Sequence, residues 1–118
     1  MPAAKNGVSQ QDVHDAFEEL YYALNDAYWA ASTIQDKDRI RGIQDVVFQI
    51  LTGLNQADIA SRSADFKALA GTFVSVQAKL DALQKDVDQI IHATQVAAKV
   101  VSGITKALAL ATKFFPVP

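Results

Sequence analysis

Residues 63–115 read SADFKALAGTFVSVQAKLDALQKDVDQIIHATQVAAKVVSGITKALALATKFF, and the parsing of this stretch decides the fold. From Phe66, apolar or small side chains recur at Leu69, Phe73, Val76, Leu80, Leu83, Val87, Ile90, Thr94, Ala97, Val101, Ile104, Leu108, Ala111 and Phe115, in alternating steps of three and four. Such steps keep one face of an α-helix apolar, and here they run for seven heptads without a change of phase, as in a coiled coil. No proline interrupts the run, Gly71 and Gly103 fall off the seam, and Ser63 is placed to cap its start. An unbroken helix over 63–115 would reach roughly 80 Å at about 1.5 Å per residue.

Upstream, Val13, Phe17, Leu20, Leu24, Ala27, Ala31 and Ile34 keep the same spacing and predict a first helix from about Ser9 to Ser32, with Ser9 and Asp12 as a capping pair. A second series, Ile40, Ile43, Val47, Ile50 and Leu54, predicts a helix over about 36–54. Ser32 or Thr33 would cap its start, and Gly53 with Asn55 offers residues that tolerate left-handed backbone at its end. The short connection makes the pair an antiparallel hairpin, and residues 57–62 are either a short helical turn or a link.

Helices of this length reach only about 30–36 Å, so the hairpin covers half of an unbroken third helix. Continuous phase favours one long helix, whereas economy of burial favours a chain that folds back. The expected fold is therefore an all-α helical bundle in a single domain over 1–118, with the N-terminal hairpin packed on a long heptad-patterned C-terminal helix over about 63–115. The alternative is a closed four-helix bundle broken near 84–88, where Gln84, Lys85, Asp86 and Asp88 cluster and either aspartate could cap a new helix. A chain of 118 residues, half of them apolar and a fifth charged, can bury one such core.

Composition removes several function classes. The absence of cysteine excludes disulfide scaffolds, thiolate metal sites and cysteine nucleophiles. The first residues lack the basic flank and apolar run of a secretory signal, which predicts a cytoplasmic protein or export without a cleavable signal. A net charge of −2 gives no general pull toward nucleic acid. The charges are unevenly placed: thirteen acids against eight bases leave residues 1–88 at −5, while Lys99, Lys106 and Lys113 give residues 89–118 a charge of +3.

In the long-helix register, Lys85, His92, Lys99, Lys106 and Lys113 form one stripe opposite the seam, while Ile91, Val96, Val100, Leu110 and Phe114 widen the apolar arc. A helix so broadly apolar needs a cover. In one reading the stripe is the solvated edge of a bundle, and in another Val96, Val100, Val101, Ile104, Leu108, Leu110, Phe114 and Phe115 bind a protein partner or a second copy. The alternative is a membrane-active amphipathic segment over 90–115, which uses Lys99, Lys106 and Lys113 at an anionic surface and the small-residue series Gly103, Ala107, Ala111 for close packing.

On the first helix Tyr21 and Tyr28, and likewise Tyr22 and Trp29, are seven apart and form two aromatic rows beside the seam. They read either as the edge of the core or as a partner-binding patch, for which these residue types are enriched. Asp15, Glu18, Glu19 and Asp26 surround them and oppose a nucleic-acid role. His14 and Glu18 stand four apart with Asp15 and Glu19 nearby, a weak metal pattern, since no second such pair exists. No glycine-rich phosphate loop, His-Glu-x-x-His or serine elbow is present, and Asp36 with Asp38 reads as helix capping. No catalytic residue, metal, cofactor or small-molecule substrate is therefore assigned. The functional expectation is a non-enzymatic protein-interaction or self-assembly module, such as an adaptor or homo-oligomer, working through the apolar C-terminal seam.

Overall fold

The computed structural model describes residues 9–55 and 64–115, and the expected cap at Ser63 and the segment 57–62 lie outside them. Four helices follow one another: α1 Gln10–Ala30, α2 Ile34–Leu54, α3 Ala64–Ile90 and α4 Thr94–Phe114. Each packs on its neighbours around a ring, α1 on α2, α2 on α3, α3 on α4 and α4 back on α1. The all-α bundle is thus closed, and the chain takes the fold-back alternative in place of one long third helix. Its longest dimension is 44 Å, close to the roughly 40 Å of α3 alone and half of what an unbroken helix would need.

Local chemistry fixes the helix starts. Ser9 forms a capping box, with its Oγ accepting from the Asp12 amide at 3.1 Å and its own amide donating to the Asp12 carboxylate at 3.1 Å. Thr33 Oγ1 accepts from the Asp36 amide at 3.0 Å and so opens α2 two residues earlier than the spacing suggested. Asn55 ends α2 in right-handed backbone (φ −77°, ψ −13°), so Asn55 itself does not take the left-handed conformation expected of it. Gly53 serves packing instead: a Cβ there would lie 2.7 Å from Leu69 Cδ1, so the missing side chain lets α2 approach α3.

The reversal comes at Ile91–Ala93, not at 84–88, and the polar residues expected in the turn work inside α3. Gln84 donates from Nε2 to Thr105 Oγ1 at 2.6 Å and to the Val101 carbonyl at 3.2 Å, tying α3 to α4. Asp86 takes the Arg39 guanidinium at 3.0 Å and ties α3 to α2. Neither Asp86 nor Asp88 caps α4, which begins after Ala93 with no side-chain cap. Both connections sit at one end of the bundle, joined by an antiparallel bridge between Ala31 and Ile91 and by the Ser32 amide donating to the Ile90 carbonyl at 3.3 Å.

Phase continuity misled because α4 is apolar on two adjacent columns. The buried column is Ala97, Val100, Ile104, Ala107 and Ala111, whereas Val101 and Leu108 of the expected seam are only half-buried. Both columns step by three and four, so either fits a heptad pattern. The buried one faces inward because it is the smaller. A Cβ on Gly103 would lie 3.5 Å from Leu20 Cα, so the backbones of α4 and α1 come close. At the far end Phe115 stacks on Phe73 at 5.4 Å and meets Phe66 at 5.6 Å, and Phe73 meets Phe17 edge-on at 6.3 Å. In an unbroken helix Phe73 and Phe115 would stand about 63 Å apart.

Candidate interaction surface

The residues expected to carry the interaction divide sharply by helix. Val100, Ile104 and Phe115 are wholly buried inside this chain, and Val96, Val101, Leu108, Leu110 and Phe114 are half-buried against the same core. The C-terminal seam packs on α1 and α3, and Gly103, Ala107 and Ala111 are buried within the bundle. The aromatics of α1 are different. Trp29 is 72% exposed and Tyr22 61%, while Tyr21 and Tyr28 lie half-buried in the groove between α1 and α2.

Helix α2 extends this surface with residues that the sequence reading did not select. Ile34, read as the last apolar position of the first helix, is instead the first residue of α2 and is 75% exposed, and Phe48 is 55% exposed. Ile34, Arg41 and Phe48 are spaced by seven and form one stripe along the groove. The Arg41 guanidinium lies over the Tyr28 ring at 4.4 Å, and Lys37 Nζ lies 5.1 Å from the Tyr28 centroid and 5.8 Å from that of Trp29. Lys37 also donates to the Tyr28 carbonyl at 2.7 Å. Tyr21 completes the row against Phe48 at 5.9 Å and Tyr22 at 5.7 Å. The heptad spacing of Ile34, Arg41 and Phe48, off the seam of α2, was the available signal for this stripe.

The second hairpin is a built-in comparison for this face. Helices α2 and α4 begin and end 60 residues apart, and much of the burial pattern repeats at the same offset, though buried Phe17 and Leu24 correspond to half-buried Gln77 and Gln84. Val13, Ala16, Leu20, Ala23 and Ala27 correspond to Phe73, Val76, Leu80, Leu83 and Val87, and all are buried. Ile40, Ile43, Gln44, Val47 and Leu51 correspond to Val100, Gly103, Ile104, Ala107 and Ala111, also buried. At the positions of Tyr21, Tyr22, Tyr28, Trp29 and Ile34, however, the second hairpin carries Asp81, Ala82, Asp88, Gln89 and Thr94. The second hairpin thus carries polar or small residues at these five positions, while the positions of Arg41 and Phe48 hold half-buried Val101 and Leu108 there, so a helical hairpin of this kind does not require the aromatics.

The lysine stripe is interrupted. His92 is exposed in the α3–α4 connection, Lys85 is on α3, and Lys99, Lys106 and Lys113 are on the outside of α4. Lys106 pairs with Glu19 of α1 at 3.3 Å, and Lys99 shares a groove of about 490 Å³ with Glu19, Tyr22 and Asp26. The acidic and basic parts of the chain thus adjoin: α1 carries five acids and no Lys or Arg, and α4 carries three lysines and no acid. Among the described residues no helix is long and apolar enough to cross a membrane. Half-buried His14 and exposed Asp15 and Glu18 place ligand atoms within 4.8 Å of one another, with a His14–Asp15 contact of 3.5 Å.

No charged side chain among the described residues is buried, and Gln44, the buried polar residue, reaches the Tyr21 carbonyl at 3.4 Å. Comparison with family models, curated proteins and solved structures gives no match.

Proposed function

We propose that the chain is a non-enzymatic protein-interaction module whose binding face is the aromatic surface shared by α1 and α2. The observation that carries this reading is the contrast between the hairpins: exposed Tyr22, Trp29 and Ile34 stand where the matching backbone of the second hairpin has Ala82, Gln89 and Thr94. Exposed large apolar groups grouped on one face are characteristic of protein contact sites, and tyrosine, tryptophan and arginine are the residues that most often dominate binding energy there. Catalysis would need convergent titratable groups shielded from water, and the charged groups here lie on open helix surfaces.

Photo-crosslinking in cells tests the reading. A benzophenone side chain placed at position 22, 29 or 48 should give protein adducts, and the same group at 82 or 89 should give none. Equal labelling from both hairpins would refute it.

A further inference from the structure

We propose that the occupant of the α1–α2 face is a second copy of this chain, in a symmetric dimer; the inference rests on the interaction reading above and names its partner. Charge is the first argument. The Arg41 guanidinium lies over Tyr28 at 4.4 Å and has no carboxylate partner among the described residues. Asp38 and Asp45, on the outer side of α2 next to the Ile34–Arg41–Phe48 stripe, are exposed and have no cation partner among the described residues. A face with charges of both signs flanking an apolar centre can complement itself under a two-fold rotation, and the proposed axis lies off Arg41, so that Arg41 of each copy meets an aspartate of the other and not its own equivalent. A purely acidic or purely basic partner would satisfy only one sign and would repel the other.

Size is the second argument. Two adjacent 21-residue helices present a face roughly 31 Å long and about 20 Å wide, on the order of 600 Å² in outline. That is of the order of the ~800 Å² per partner in a standard stable interface. The aromatic crest runs along this face from Ile34 and Trp29 at the connection end to Phe48 and Tyr21 farther down the groove, with exposed Tyr22 at its outer edge, where it also lines the groove toward α4. Tyr28 is already held by Arg41 and Lys37, so the centre of the face is ordered before a partner arrives.

The purified full-length chain, followed by light scattering on a sizing column from low micromolar to near-millimolar concentration, should move from 12.8 kDa toward twice that mass. Trp29 is the single tryptophan of the chain, so its emission should shift to the blue over the same range as the face is covered. Arg41→Glu should raise the dissociation constant about tenfold or more, and so should the double variant Asp38→Arg/Asp45→Arg. The two variants mixed should recover the dimer, because each heterodimer restores opposite charges at both contacts. Helical circular dichroism of each variant confirms that the bundle is intact.

A chain that stays at 12.8 kDa throughout, or a dimer indifferent to Arg41→Glu and Phe48→Asp alike, overturns the proposal. A monomer that still gives adducts of another mass from positions 22, 29 and 48 in cells overturns the second copy and leaves the interaction reading standing. Absence of any adduct overturns both.

Discussion

Replacing Phe115 with alanine measures how much of the stability rests on closing the bundle. The ring is fully buried against Phe73 and Phe66 of α3, so its removal loses the burial of a large apolar side chain, about 2–3 kcal/mol. The stacked pair with Phe73 adds about 0.5–1.5 kcal/mol, and an unfilled cavity at this end of the core brings the total to about 3–5 kcal/mol. A domain of this size has about 5–15 kcal/mol in all, so the variant should lose about a fifth of its stability or more. Urea unfolding followed by helical circular dichroism, with the wild-type slope retained, measures the loss. Thermal unfolding should show a midpoint lower by roughly 12–20 °C, at about 4 °C per kcal/mol. A loss below about 1 kcal/mol would refute the packing, because it is what a side chain at the free end of a long helix would give.

Three further outcomes follow from the same geometry. Gly42→Ala and Gly71→Ala meet nothing within 4 Å and lie inside helices, so each should stabilise by about 0.5–1 kcal/mol in the same urea assay. Gly103→Leu should instead destabilise by about 1–3 kcal/mol, since its side chain would be driven against the α1 backbone at Leu20. Ser9→Ala and Thr33→Ala should each cost about 1 kcal/mol by removing the caps of α1 and α2, and hydrogen exchange should show the loss first in the amides of Asp12 and Asp36.

The fold class was legible because helix-period spacing survives throughout: Val13 to Ala27, Ile40 to Leu54 and Phe66 to Ile90 are buried where the spacing put them. The Ser9 and Thr33 caps were legible for the same local reason, since a cap depends on residues three apart. The break was not. Gln84, Asp86 and Asp88 look like a turn in one dimension, but Gln84 and Asp86 are flanking positions of α3 that reach sideways to neighbouring helices. Uninterrupted phase through 84–115 carried no information about continuity, because Val100 beside Val101 and Ala107 beside Leu108 allow either column to be buried.

The interaction face was half visible. Tyr21, Tyr22, Tyr28 and Trp29 could be grouped from heptad spacing on one helix, which is a local property. Ile34, Arg41 and Phe48 join them only once α2 lies beside α1, and the burial of Val100, Ile104 and Phe115 within this chain follows only once α4 has closed on α1 and α3.

By itself, then, the order of residues determined that this chain is helical, where its first helix begins and which columns of α1, α2 and α3 are buried, because periodicity and capping act over a few neighbouring residues. Only the tertiary structure decided that the last third folds back at Ile91–Ala93 and buries its smaller column against α1, and that the exposed aromatics of two helices form one surface. Those outcomes depend on distances between residues tens of positions apart, set by how closely four helices can pack.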